Sequence, residues 1–214
     1  MTHLIACSML ERELIPYLPP DVSVTWIERG LHERPTQLCQ VLQETLDALP
    51  PEVDTVLLAY GFCGGAMEGI SCPSATLVLP LFDDCIGMLL QGERKTRSMY
   101  FTASWLEDAQ FIGNAYDRAV DDYGQEMADE IYQTMVGAYQ SVVLLDTQCF
   151  DVESASQTMG VCAEKLGLAL ERVTGTTHRL QDLLQGGNTP EFWQLKPNER
   201  FTLIEFLERK RMQS

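Results

Sequence analysis

Three of the seven cysteines stand where a hydrophobic strand gives way to a turn or a helix. Cys7 follows Leu4-Ile5-Ala6, Cys63 follows the run from Val56 to Tyr60, and Cys85 comes shortly after the run from Thr76 to Pro80. Open α/β sheets build their sites at that edge, outside the carboxyl ends of the strands. If the three strands are parallel neighbours, thiols far apart in the sequence converge there. Thiolates bind zinc and iron–sulfur clusters strongly because sulfur is a soft donor, and a three-ligand site leaves one coordination position open for substrate. The spacing therefore predicts that Cys7, Cys63 and Cys85 hold one zinc ion or one iron–sulfur cluster, and the donor set alone does not choose between the two.

The residues around these thiols fit a site. In Tyr60-Gly61-Phe62-Cys63-Gly64-Gly65 the glycines let backbone approach a bound group closely, so Tyr60, Gly61, Gly64 and Gly65 are expected to line the pocket. Asp83 and Asp84 precede Cys85 and are candidates to act as acid or base, to orient a ligand, or to cap the helix that Cys85 begins. That helix start also favours the thiolate form of Cys85. Thr102 and Trp105 end a later strand and are expected as a pocket wall, tryptophan being also a common core residue. Against the whole reading, no Cys-x-x-Cys pair occurs, and isolated cysteines often act as small buried hydrophobes.

The remaining cysteines carry less. Cys149 follows the strand ending at Asp146 and is a candidate fourth ligand, resolving thiol or idle loop residue. Cys72, before Pro73, is a reserve ligand at most, and Cys39 and Cys162 sit at apolar-compatible positions of helices, where packing explains them. A rival chemistry comes from Gly61-Phe62-Cys63-Gly64-Gly65, which has the form of a nucleophile elbow, with Asp146 and His178 following in the chain order of α/β hydrolases. An elbow requires a strand followed at once by a helix. Here only Ala66 to Ala75, interrupted by Gly69, Cys72 and Pro73, separates the turn from the next strand, so the hydrolase is the weaker reading.

The elements that must position these groups alternate between strand and helix. Leu4 to Cys7 reads as a buried strand, Met9 to Tyr17 as a helix closed by prolines, and Val22 to Ile27 as a second strand. Pro35 opens a helix with Leu38, Val41, Leu42, Thr45 and Leu49 at helical spacing, stopped by Pro50-Pro51. Thr55 to Tyr60 is a continuous apolar run of the kind buried on both faces of a parallel sheet. Strands follow at Thr76 to Pro80 and Met99 to Thr102, with a helix near Asp84 to Gln91 between them. From about 105 to 139 the strand signal gives way to apolar residues at helical spacing among many acids. Strands at Ser141 to Asp146 and Leu168 to Val173 enclose a helix near Val152 to Leu166, with short helices after Gly175 and after Phe201. The pattern predicts one α/β domain over residues 1–214: an open, mostly parallel sheet with flanking helices and a helical insertion at about 105–139.

Composition bounds the partners. With 31 acids against 15 bases the formal charge is −16, which repels phosphate backbones and anionic membrane surfaces. Neither nucleic acid nor membrane is expected as a partner. No run of about 18 apolar residues occurs and no secretory leader is recognisable at the N-terminus, so the expected location is cytoplasmic, where cysteines stay reduced. No Walker loop or dinucleotide fingerprint is present.

At its cysteine motifs the chain resembles the uncharacterised family called domain of unknown function 1638. The motifs are Cys7-Ser8-Met9-Leu10, Tyr60 to Gly64, and Asp84-Cys85-Ile86. The likeness extends to Tyr100-Phe101-Thr102 with Trp105, Tyr123-Gly124, the strand to Asp146-Thr147, and Glu171 to Gly175. It implies an α/β fold, shared ligation by Cys7, Cys63 and Cys85, and a loose association with anaerobic one-carbon and corrinoid-linked metabolism. Cys149 lies outside the family pattern, and Asp83 stands where the family is expected to have histidine. Two functions follow as expectations: a metal or iron–sulfur protein working as an enzyme on a small molecule, or a non-enzymatic accessory protein that stores, delivers or senses a metal or corrinoid for a partner enzyme.

Overall fold

The computed structural model describes residues 1–108 and 111–212. Its strands are β1 (Thr2–Cys7), β2 (Ser23–Ile27), β3 (Thr55–Ala59), β4 (Thr76–Pro80), β5 (Ser98–Phe101), β6 (Ser141–Asp146), β7 (Ala169–Thr174) and β8 (Phe192–Leu195). Its α-helices are α1 (Glu11–Leu14), α2 (Pro35–Asp47), α3 (Cys85–Leu89), α4 (Ala103–Leu106), α5 (Ile112–Tyr123), α6 (Gln125–Val136), α7 (Val152–Lys165), α8 (His178–Leu184) and α9 (Leu203–Arg211). The chain divides into two compact units, one formed by Met1–Met88 with Thr177–Ser214 and the other by Leu89–Thr176. Each has its own sheet, and the expected mixed α/β fold with mostly parallel strands holds in both.

The first unit contains a five-stranded sheet in the order β2-β1-β3-β4-β8. β1 pairs in parallel with β2 and β3, and β3 pairs in parallel with β4. Val56, Leu57, Leu58 and Ala59 have no exposed surface, which explains why the central β3 reads as an unbroken apolar run rather than an alternating one. β2 is an edge strand, and most of its residues keep some exposure. β8 closes the other edge antiparallel to β4, with Leu77 opposite Leu195 and Pro80 opposite Phe192. This strand has no counterpart in the sequence-based expectation, since Phe192-Trp193-Gln194-Leu195 is too short to show a period.

In α2, Pro35 occupies a first-turn position where its missing N–H costs nothing, and Leu38, Leu42 and Leu46 form the buried stripe. From the same helix Gln43 offers its side-chain amide to the main chain of Ser71. Its Nε2 donates to the Ser71 carbonyl at 3.0 Å, and its Oε1 accepts from the Ser71 N–H at 3.0 Å. One side chain thus satisfies both backbone groups of a residue in the loop between β3 and β4.

The second unit has a parallel sheet in the order β5-β6-β7. Its core contains Phe101, Phe111, Tyr116, Tyr132, Val142, Leu144 and Met159, against which α5, α6 and α7 pack. The expected helical stretch at about 105–139 is realised mainly as α5 and α6, joined at Gly124; Ala109 and Gln110 lie outside the described residues. Asp151 caps α7, its carboxylate accepting from Glu153 N–H at 3.1 Å and Ser154 N–H at 3.2 Å.

Candidate functional site: a thiol cluster at the carboxyl edge of the first sheet

In the first sheet, β1 leads to β2 on one side and has β3 on the other, so the direction of winding reverses between β1 and β3. Crevices form outside the carboxyl ends of strands at such a switch point. Cys7 is the last residue of β1, and Cys63 lies four residues beyond the end of β3 at Ala59. Cys85 opens α3 after β4. Three adjacent parallel strands therefore deliver the three thiols to one edge.

Main-chain pairing carries the β3–β4 alignment past the strands and into the turn. The N–H of Phe62 donates to the carbonyl of Phe82 at 2.8 Å, and the N–H of Cys63 donates to the carbonyl of Asp83 at 2.8 Å. Gly61 permits this closeness, because a Cβ there would lie 2.4 Å from Asp84 Cα. Beyond it the chain enters the left-handed region for three consecutive residues: Cys63 at φ 45°, Gly64 at 67° and Gly65 at 106°. The two glycines adopt this without steric cost, whereas Cys63 is held there under strain.

The thiols lie within electrostatic range of one another. Cys63 is pushed up to about 12 by burial first, then by Cys7 and Asp84, while N–H groups of Gly61 and Cys85 hydrogen-bond its sulfur and pull the other way. Cys85 is raised well above the ordinary thiol range by burial, then by Cys7, Cys63, Asp84 and Glu13. Tyr60 is raised by burial and then by the same thiols. Its hydroxyl faces Cys7 and makes no hydrogen bond of standard geometry among the described residues. Cys7 is buried, whereas Cys63 and Cys85 keep part of their surface accessible. Burial favours the neutral thiol form of Cys63 and Cys85. Taken together as thiolates beside carboxylates the three cysteines would demand a positive charge among them. Among the described residues no group of three or more His, Cys, Asp or Glu side chains is arranged to hold a metal ion as it stands. Ligation by this donor set would require deprotonation of the thiols.

The other expected site residues divide. Asp84 caps the helix of Cys85, accepting from Gly87 N–H at 2.9 Å, and its charge bears on both Cys63 and Cys85. Asp83 turns its carboxylate outward, 69% exposed and 2.5 Å from Lys210 Nζ. What Asp83 gives the site is its main-chain carbonyl, which holds Cys63. Thr102 and Trp105 belong to the second unit, where the buried Thr102 hydroxyl has no hydrogen-bond partner among the described residues and Trp105 packs edge-on to Phe101. Cys39 donates to the Glu68 carbonyl at 3.4 Å, and Cys72 lies 3.8 Å from the Ser74 hydroxyl. Cys149 faces the Thr147 carbonyl, and Cys162 is in the second core.

The groups of the rival hydrolase are engaged with other partners. Asp146 accepts from Arg172 Nη2 at 2.8 Å and from Gln148 N–H at 3.1 Å, and the largely exposed His178 pairs with Asp182 at 2.9 Å. Two features of the thiol edge escape the sequence reading. One is Glu13, a fully buried acid on α1. Its signal is its place with Met9, Leu10 and Leu14 on the apolar face. The other is an aromatic group behind the turn: Phe62 stacks on Phe206 at 5.2 Å and on Phe201 at 6.1 Å, and Trp193 lies 5.2 Å from Phe201.

Fold and site together define an α/β protein with a cysteine cluster at the switch point of a mostly parallel sheet. The model of the family described as protein of unknown function DUF1638 matches residues 26–184, and the chain belongs to that family. No curated protein and no solved structure matches it. Among the described residues no helix is long and apolar enough to cross a membrane.

Proposed function

We propose that the first unit binds one metal ion or one iron–sulfur cluster through Cys7, Cys63 and Cys85, leaving a coordination position open for a small-molecule substrate. The observation that carries this reading is the delivery of three thiols by three adjacent parallel strands to the switch point, with backbone N–H groups aimed at the Cys63 sulfur. Thiolates and iron–sulfur or zinc centres are matched in softness, and N–H bonds to sulfur tune such centres. Zinc would supply Lewis acidity at the open position, whereas a cluster would supply electron transfer or a site for a substrate carboxylate. Enzymatic one-carbon or corrinoid-linked chemistry in a cytoplasmic setting is the form of this reading that the family resemblance favours.

The test is metal and acid-labile sulfide analysis, with a visible spectrum, on protein purified without oxygen. One equivalent of zinc, or iron with sulfide, is expected in the wild type and in Cys39→Ser and Cys162→Ser. Content should fall in Cys7→Ser, Cys63→Ser and Cys85→Ser. Equal content in all five variants, or none in the wild type, would overturn the shared site.

A second reading, a non-enzymatic accessory protein, has one observation in its favour. On α6 the residues Met127, Ile131 and Met135 recur every fourth position and are exposed, among Glu126, Asp129 and Glu130. An apolar stripe with an acidic surround suits a partner with a basic rim. Rapid loss of the bound metal to an added chelator would favour delivery over a resident cofactor.

A further inference from the structure

We infer that the amino end of the first sheet carries a second site, a cleft that takes a small protonated amine, with Thr25 and Glu44 holding the ammonium group and Val41, Leu49 and Pro50 against its apolar body. This site lies at the other end of β1 from Cys7 and does not depend on the metal-binding reading.

His3 is the second residue of β1. In the parallel pairing of β1 with β2 it stands opposite Ser23, and Ile5 stands opposite Thr25. Alternate strand residues share a face, so His3, Ser23 and Thr25 lie together on one side of the sheet. The buried His3 ring joins the two hydroxyls: its Nδ1 is 2.7 Å from Ser23 Oγ and its Nε2 is 2.9 Å from Thr25 Oγ1. Burial favours the neutral ring, which has one donor and one acceptor nitrogen, so one hydroxyl donates to it and the other accepts.

A cleft of about 410 Å³, lined by His3 and Thr25, opens between this face and the C-terminal turns of α2. That volume falls among small-molecule sites, which span about 300–1,000 Å³. Val41, Leu49 and Pro50 give it an apolar wall. Glu44 is the one charged side chain among the described residues that line it, and Gln40 Nε2 donates to its carboxylate at 2.8 Å. The carboxyl end of α2 adds the negative pole of a helix dipole. With a neutral imidazole and no opposing cation in the lining, the cleft favours a positive ligand and repels an anion. The net charge of −16 acts the same way at longer range.

An ammonium group also needs an oxygen or nitrogen that accepts. Thr25 Oγ1 turns only lone pairs toward a ligand when its own proton goes to His3 Nε2, and His3 Nδ1–H then donates to Ser23 Oγ. Amine binding therefore fixes His3 as the Nδ1–H tautomer.

The experiment titrates the full-length, ¹⁵N-labelled chain at neutral pH with butylammonium, butanol and butyrate, following the ring nitrogens of His3, assigned against His3→Gln. Butylammonium should give a saturable shift and the Nδ1–H pattern, butanol a weaker one, and butyrate none. Glu44→Gln should weaken butylammonium binding roughly two- to fivefold, as loss of an exposed ion pair does. Thr25→Val should weaken it at least about tenfold, the hydrogen bond being to a charged group. Thr25→Ser, which keeps the hydroxyl, should bind as wild type does, and so should Asp47→Asn, on the same helix but outside the cleft. The site is overturned if butylammonium gives no saturable shift, or if butanol or butyrate binds as tightly. Equal losses in Glu44→Gln and Asp47→Asn would overturn it too, by reducing the effect to diffuse charge. Wild-type affinity in Thr25→Val, or an Nε2–H ring in the saturated complex, would overturn the role of Thr25. If Thr25→Val misfolds by circular dichroism, a loss of binding in Thr25→Ser overturns that role instead.

Discussion

Gly61 and Asp84 meet backbone to backbone: a Cβ on Gly61 would lie 2.4 Å from Asp84 Cα and 2.5 Å from Asp84 N, and no side-chain rotation relieves main chain against main chain. Gly61 is two residues from Cys63, and Asp84 is next to Cys85. The contact therefore sets how far apart the turn of β3 and the helix start of β4 can lie. Gly61→Ala should force the two segments apart and cost about 1–3 kcal/mol in unfolding free energy, as overpacking does. Denaturant unfolding checks the stability, and metal content checks the site. Unchanged stability would mean that the segments separate freely.

Phe206 anchors α9 behind the same turn. It is 1% exposed, stacks on Phe62, the residue before Cys63, and lies tilted against Phe201 at 5.7 Å. Phe206→Ala removes a ring from a closed aromatic group and should cost about 3–5 kcal/mol. Ile204, two residues earlier on the same helix, is 72% exposed, and Ile204→Ala should stay within about 0.5 kcal/mol of wild type. Equal losses in the two variants would show that α9 contributes through helix formation alone and not through this packing.

His3 provides the pH dependence. Its ring lies between the Ser23 hydroxyl at 2.7 Å and the Thr25 hydroxyl at 2.9 Å, and burial lowers its pKa from the ordinary 6.5. Above that value both the folded and the unfolded chain carry the neutral ring, and the stability due to these contacts is complete. As pH falls below it the unfolded chain takes up a proton first, so stability declines until the folded-state pKa is passed. Between about pH 7.5 and 5.5 the wild type should therefore lose more stability than His3→Gln. The reverse order in chemical denaturation would contradict a lowered His3 pKa.

The strands that form the site are legible in the sequence because each is buried on both faces and so appears as an apolar run. Thr76 to Pro80 and Ser141 to Asp146 agree with the structure to the residue. The convergence of Cys7, Cys63 and Cys85 follows from one assumption, parallel neighbours, which the pairing of β1 with β3 and β3 with β4 satisfies. Strand β8 is not legible, because four residues between Glu191 and Lys196 give no period and its partner is remote in sequence. Nor is the division of labour between Asp83 and Asp84. Adjacent residues of one type differ here because the first points its carboxylate to Lys210 while the second turns back to cap α3. Glu13 is visible as an acid among Met9, Leu10 and Leu14, but its complete burial is not legible from the sequence.

Cys63 carries strain that a substitution pair can measure. Its φ of 45° lies in the left-handed region, where a side chain costs roughly 1–2 kcal/mol relative to the usual conformations. Glycine escapes that penalty but adds flexibility to the unfolded chain, worth about 0.4–1 kcal/mol in the other direction. In metal-free protein Cys63→Gly should therefore be at least as stable as Cys63→Ala. Cys7 supplies the contrast, since its φ of −67° is ordinary extended backbone at the end of a strand. There only the flexibility counts, so Cys7→Gly should be less stable than Cys7→Ala by about 0.5–1 kcal/mol. Four unfolding curves decide the matter. The same ordering at both positions would mean that the turn relaxes around Cys63. Opposite orderings would show that the fold holds this thiol in a conformation it does not prefer, as expected of a residue placed to hold something.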